Sequence, residues 1–478
     1  MHAIQRRAPD AQLAGGAGAL LRGAALVGVL TLLAVSCSGE AAPAARDSLG
    51  GTIPPAPRVP TGPLSPSLAA DLDVIFGDLG NTVDDEAIAR VGESGDARAA
   101  WLLSDLLRFV HRGHVTDAAV AAFESLTGTE IPADPWMSWL LITNWLIGWD
   151  LPAPPGYLHW KRLLFEFAEP GWAPLFADED ADVDWRLVTW GGVFIDDRPL
   201  DAVRWPCPDG CIPALDDPAV TDAAGGDWYP DDRLVFGVVV GGEARAYPKN
   251  IMEVHELVND TLGGRRVGVV YCTLCASAQA YLTDAVPLGS EPLELRTSGL
   301  LARSNKVMYD FHTLSLFDTF TGRAVSGPLQ DAGLVLEMVS VRTSTWGAWK
   351  AAHPDTTIVA RDGGIHRSYP EEPLQGRDDQ GLIFAVGAVD PRLPVQQMVL
   401  GVVAPEGTLL AFPVEQAAGE LAAGRPVELA GVRVTTDGAG LLAETLDGQP
   451  LASHQAYWFA WSQFHPGTAV WAPIDLEG

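Results

Sequence analysis

The chain is poor in positive charge: 31 Lys and Arg stand against 61 Asp and Glu in 478 residues, a formal net charge of −30. That deficit excludes nucleic acid as a partner, because binding phosphate requires a basic surface. It equally excludes adsorption to anionic lipid by charge. Cysteine is scarce, with five in the whole chain, so each one is informative. No phosphate loop, dinucleotide fingerprint or Cys-x-x-Cys-His run is present, which leaves no sequence mark of a nucleotide, flavin or haem site. Long apolar runs are missing too. The apolar stretch Ala24–Ser36 is short for a spanning helix, which needs ~20 residues.

That stretch follows Arg6, Arg7 and Arg22 and ends at Cys37. A basic start, an apolar middle and a small-residue end form a secretory signal. Ala34, Val35 and Ser36 leading into Cys37 resemble a bacterial lipobox, in which the cysteine becomes the lipidated first residue of the mature protein. The expectation is export, with residues 1–37 as leader and the membrane reached only through a lipid on Cys37. Removing residues 1–36 leaves a net charge near −32. Residues 38–66, rich in Ala, Pro, Gly and Ser, are expected to form a flexible tether.

From 67 to 183 the pattern is helical. Asp84-Asp85-Glu86 opens one segment, Asp96 caps the next, Thr116-Asp117 starts another, and Trp136–Trp149 reads as a buried core helix. From 184 onward short β-like runs alternate with turns, and the pattern repeats. Leu234–Asn250 matches Met398–Gln416, Leu316–Val325 matches Leu442–Leu451, and Thr345–Val359 matches Tyr457–Trp471. In the last pair a Trp-x-x-Trp-x-x-x-His-Pro-x-Thr spacing aligns without a gap. The predicted fold is α+β: a helical N-terminal domain, then a duplicated β-rich domain, mixed-sheet or barrel-like, with short helices. The first copy spans 184–365 and the second 366–478. His353 and His465 lead His-Pro turns and are read as structural.

The chemistry is expected in the first copy, because only it carries Cys272-Thr-Leu-Cys275, at the end of an apolar strand-like run. Such a pair exchanges electrons, holds a metal, or staples a turn. Around it lie His255, Glu256, Asn259, Asp260, Ser298, Arg303, Ser304, Asn305, Tyr309, Asp310, His312 and Ser315, polar residues inside an apolar frame. His255 is placed to lower a cysteine pKa or to share a metal with the thiolates. Cys207 and Cys211 form a second pair, for which a local disulfide, a resolving pair, a four-cysteine zinc site and free thiols all remain open.

These segments carry a resemblance. The AYP…HE-x-VND segment, Tyr-Cys-x-x-Cys, Ser298–Leu300, Ser304-Asn305, Met308-Tyr309-Asp310, Ser315–Gly322 and Trp346…His353-Pro354 resemble the bacterial and archaeal domain of unknown function family 3179. The resemblance covers roughly residue 198 to the C-terminus. Some members look like selenoproteins, which implies redox chemistry in the Cys-x-x-Cys region. Two departures stand out. Thr273 and Ala276 replace the usual Pro and Gly of Tyr-Cys-Pro-Leu-Cys-Gly, and Phe311 replaces an Arg. The preferred reading is thiol–disulfide exchange at Cys272 and Cys275, with Cys272 attacking and His255, Asn259, Ser298, Asn305, Tyr309, Asp310 and Ser315 supporting. The electron partner or small-molecule substrate is unspecified. One alternative is copper or zinc held by Cys272, Cys275 and His255 or His312. The other is a non-catalytic envelope protein with structural cysteines.

Overall fold

Helix signals written in the first third of the chain are used where they stand. In the computed structural model Ser65 Oγ accepts from Leu68 N at the start of helix Pro66–Gly77, and Asp84 Oδ1 accepts from Ala87 N at the start of Asp85–Glu93. Helices Ala100–Phe109, His114–Thr127, Ser138–Gly148 and Tyr157–Ala168 follow. The structure describes residues 45–80, 83–132, 137–198, 207, 210–287, 291–377 and 380–473, all within one unit, Ala44–Gly478. The leader and Cys37 lie outside the described residues. Among the described residues no helix is long and apolar enough to cross a membrane. The Trp-rich segment is a buried helix, with Trp139, Ile142, Trp145 and Leu146 in the core.

Two expectations are corrected here. The tether expected over 38–66 is laid against the body across its described part. Asp47 pairs with Ala388 in a β-bridge, Asn144 Nδ2 donates to Ser48 Oγ, and Trp149 Nε1 donates to Pro54 O. The helices, for their part, do not close a core of their own. Trp101, Phe165 and Trp172 share one cluster with Leu300, Leu301, Tyr309 and Leu316 of the β-rich part. Lys161 shows why the two cannot separate cheaply. Its ammonium is fully buried against Asp105 Oδ1 (2.7 Å) and donates to Val188 O (2.7 Å) on the first strand. Removing one partner of such a buried pair costs about 3–5 kcal/mol.

The β-rich part is not a barrel. Its described residues form five small sheets arranged like the blades of a five-bladed propeller. Two of them are the same object twice. Strands Val341–Thr345, Leu234–Val240, Glu243–Pro248 and Thr357–Val359 follow one another in the first copy as Ser453–Tyr457, Met398–Val403, Leu409–Pro413 and Ala469–Val470 do in the second. In both, the last strand pairs parallel and the others antiparallel. Register matches as well: Gly237 faces Arg342 and Gly401 faces His454. These glycines exist for the tryptophans. A Cβ on Gly237 would lie 2.1 Å from the Trp349 ring, and one on Gly401 the same distance from Trp461. Each indole is then fixed by its own threonine, Trp349 Nε1 to Thr356 Oγ1 (2.8 Å) and Trp461 Nε1 to Thr468 Oγ1 (3.0 Å). The repeated Trp…Thr spacing of the sequence is this bond.

Each of these sheets packs on a second one. Phe236, Val238 and Tyr247 meet Val258, Val267, Val269 and Tyr271 of the sheet carrying strand Arg265–Cys272. Leu400, Val402 and Phe412 meet Val427, Val432 and Val434 in the second copy. The remaining sheet, Val188–Trp190, Leu295–Ala302, Asn305–Asp310, Leu316–Asp318 and Arg323–Ala324, belongs to the first copy and joins it to the helices. Leu316–Val325 and Leu442–Leu451, which match in sequence, both fold as antiparallel hairpins, in this sheet and in the sheet of Val432–Thr436 respectively.

Candidate functional site

Strand Arg265–Cys272 is apolar and buried from Val267 onward, and it runs antiparallel to Ser277–Leu282. The tight connection between them brings Cys275 back beneath Cys272, with Cys275 N donating to Cys272 O (3.2 Å). The hairpin closes through Ala276 at φ +46°, a backbone region that costs an L-residue ~1–2 kcal/mol and costs glycine nothing. The family's usual glycine at this position has that reason. Ala276→Gly is therefore expected to raise stability by up to about 1 kcal/mol, net of the greater freedom glycine gains in the unfolded chain. A lower urea midpoint would contradict it.

Both cysteines are free thiols. Cys275 is fully buried and Cys272 is 3% exposed. Their sulfurs lie against one carbonyl oxygen, Ser304 O, at 3.6 Å (Cys272) and 3.5 Å (Cys275). Asn305 Oδ1 stands 3.8 Å from Cys275. Cys272, but not Cys275, is on the wall of a cavity of about 360 Å³. Polar groups on that wall are Glu253, Glu256, Thr273, Thr297, Lys306 and Arg377; apolar ones include Leu301 and Phe384. Lys306 Nζ donates to Glu256 O (2.7 Å) and lies 3.2 Å from Glu256 Oε2, with both side chains largely buried. Thr273 Oγ1 donates to Glu256 Oε1 (3.0 Å), a bond the family's proline could not make.

The two thiols are electrostatically unequal. Burial pushes the Cys272 thiol up, but the Cys275 S–H and the backbone N–H groups of Lys306 and Cys275 stabilise its thiolate, and the net direction is downward. Burial and the neighbouring Cys272 push Cys275 well above the usual thiol range. Burial lowers Lys306 against the pull of Glu256 and Cys272. The arrangement is one sulfur facing a cavity, with a second, fully buried sulfur behind it.

The histidines are not part of it. His255 is wholly buried; its Nδ1 meets Pro213 O (2.8 Å) and its Nε2 meets Tyr369 OH (2.7 Å). Burial pushes it down to about 3. Both ring nitrogens are used, so it neither tunes a thiol nor ligates. His312 is exposed in a turn beside Phe311. Neither histidine brings its ligand atoms together with the two thiols among the described residues, and the metal alternative loses the donors it was built on. Cys207 and Cys211 form a disulfide, Cα–Cα 5.2 Å. The four-cysteine zinc site is not assembled. Asp196, Cys207 and Cys211 gather their own ligand atoms within 4.8 Å, with both sulfurs consumed by the bond.

Most of the supporting residues hold the scaffold. Asn259 Nδ2 donates to Asp216 Oδ1 and Leu295 O, and its Oδ1 accepts from Leu295 N. Ser298 Oγ donates to Val307 O, Tyr309 OH to Asp196 O. Asp310 accepts from Glu294 N and Thr313 N, and Ser315 Oγ accepts from Leu329 N. Of the set, Asn305 alone reaches a cysteine. Lys306 was missed as a site residue. Its signal was available: a lysine directly before the apolar run Val307–Tyr309 must be paired if that strand is buried. Arg377 was missed because it arrives from beyond the first copy, at the start of the second.

The fold and the site define a duplicated β-rich protein with a paired-thiol cavity in its first copy. Residues 209–427 match the family model described as protein of unknown function, DUF3179. The match takes in the whole site and ends inside the second copy. No curated protein matches the chain, and no solved structure does.

Proposed function

We propose that the chain is an exported, lipid-anchored thiol–disulfide oxidoreductase whose attacking sulfur is Cys272. One observation carries the reading: Cys272 opens on the cavity while the protonated Cys275 lies behind it and stabilises its thiolate. The Cys272 thiolate attacks one sulfur of a substrate disulfide, and the other sulfur leaves as a thiolate. Cys275, deprotonated as that product takes its proton, then attacks Cys272 in the mixed disulfide and releases the second half. Two electrons pass to the substrate, which leaves as two thiols, and a Cys272–Cys275 disulfide remains. An external dithiol reductant must restore the pair. Because Cys272 is 3% exposed, a folded protein's disulfide cannot reach it, and the substrate is a small molecule that fits about 360 Å³.

The test is to mix the reduced full chain with a low-molecular-weight disulfide and count protein thiols and released thiols. Two thiols lost from the chain for two released supports the reading; an unchanged thiol count overturns it. Export and anchoring rest on the leader and Cys37. Metabolic palmitate labelling is expected in the wild type and absent in Cys37→Ser. An unlabelled wild type removes the anchor and leaves the redox reading standing.

A further inference from the structure

The second copy holds a pair of histidines where the first holds an ion-paired cluster. His454 faces Gly401 in its sheet; the matching residue, facing Gly237, is Arg342. His465 lies on the Trp461 ring at 4.1 Å, as His353 lies on Trp349 at 4.2 Å. In the first copy one carboxylate serves both positions. Asp437 Oδ2 is 3.0 Å from Arg342 Nε and 3.4 Å from His353 Nε2. In the second copy the ring of Phe320 stands there instead, 5.2 Å from His454 and 5.6 Å from His465.

The two imidazoles are 2% and 8% exposed, and His454 Nε2 is buried with no hydrogen-bond partner among the described residues. A buried polar nitrogen left unpaired is costly and calls for an explanation. Both rings line a cavity of about 350 Å³ together with Met338, Phe320, Trp461 and Val403. No charged side chain lines it. Burial, and for His454 the neighbouring His465 as well, pushes the rings down to about 3 and about 4, which disfavours the imidazolium in both.

We propose that His454 and His465 bind one copper(I) ion, with the Met338 thioether as a third donor. Imidazole and thioether are donors that suit copper(I). Charge decides against zinc. The cost of desolvating an ion rises with the square of its charge, and this wall offers no carboxylate or thiolate to offset a dication. The first copy makes the contrast: there Arg342 and His353 already have a carboxylate, Asp437, beside them. The site is separate from Cys272 and does not rest on the redox reading.

The full chain carrying Cys37→Ser, Cys272→Ser and Cys275→Ser removes the free thiols as competitors. Titrated anaerobically with copper(I) against a chromogenic copper(I) chelator, it is expected to bind one equivalent. His454→Phe in that background should weaken binding by more than the roughly 10–100-fold that outer-shell changes cost. X-ray absorption of the thiol-free chain needs no histidine variant, and should show nitrogen donors plus one sulfur that vanishes in Met338→Leu. Copper(I) should raise the melting temperature, and zinc should not. No binding by the thiol-free chain, undiminished binding by His454→Phe, or equal stabilisation by zinc overturns the proposal.

Discussion

Cys272→Ser is expected to abolish reduction of a small disulfide, while Cys275→Ser is expected to stop at a stable mixed disulfide. The asymmetry follows from position. Cys272 is on the cavity wall and its thiolate is stabilised; Cys275 is off the wall, fully buried and held protonated. Without Cys272 no thiol among the described residues lines the cavity. Without Cys275 the first attack proceeds and nothing resolves it, so intact mass should show one adduct per chain. A companion measurement tests the electrostatics. Cys275→Ala removes the S–H that donates to the Cys272 thiolate, so the pH profile of Cys272 alkylation should move to higher pH. Glu256→Gln, which removes a nearby negative charge, should move it lower. Equal disulfide reduction by Cys272→Ser and the wild type would sink the assignment, and a profile unmoved by Cys275→Ala would remove its electrostatic basis.

Acid should unfold the chain in part through His255. Its folded pKa, about 3, lies below the usual 6.5 of an imidazole because burial disfavours the cation and Arg367 repels it, against the hydrogen bond to Pro213 O. The unfolded state therefore binds the proton first. Stability attributable to His255 is complete above about pH 6.5 and is lost as pH falls toward about 3, at ~1.4 kcal/mol per pH unit. Between pH 6.5 and 4.5 that amounts to roughly 3 kcal/mol, a large share of the 5–15 kcal/mol typical of a folded domain. Asp105, Glu294 and Asp318, which burial pushes upward, act in the opposite sense. The difference between wild type and His255→Gln cancels them. His255→Gln is expected to cost stability at pH 7 by losing the Pro213 and Tyr369 contacts, and to show a flatter fall with acid in urea titrations. Parallel curves for the two would mean that His255 is not held neutral.

The family's departures acquire reasons from the geometry. Thr273 gains a hydrogen bond to Glu256, which itself holds Lys306 beside Cys272. Ala276 sits where the backbone favours glycine. Phe311, in place of the family's arginine, lies under the Arg296 guanidinium at 5.7 Å, so a positive charge still stands near that turn.

The duplication, the helix starts at Asp84 and Asp96, the buried Trp139–Trp145 helix and the Cys272/Cys275 pair were legible in the sequence. Each is a local signal, a cap, a period or a spacing, and local signals survive in one dimension. The identity of the neighbours was not. His255 stands one residue before Glu256 and was taken as the thiol's partner, yet the backbone turns at Glu256 (φ +54°). His255 goes to Pro213 and Tyr369, and Glu256 goes to the site. Lys306 reaches Glu256 from 50 residues away, and Arg377 reaches the cavity from beyond the first copy. Nor did the sequence say that the helices and the β-rich part share one core, since an apolar face does not name what will cover it. The chain by itself determined where its cysteine pairs stand and how often its β unit recurs. Only the tertiary structure decided which charges stand beside Cys272 and which histidines are left without a partner, because those contacts join residues that no spacing or period connects.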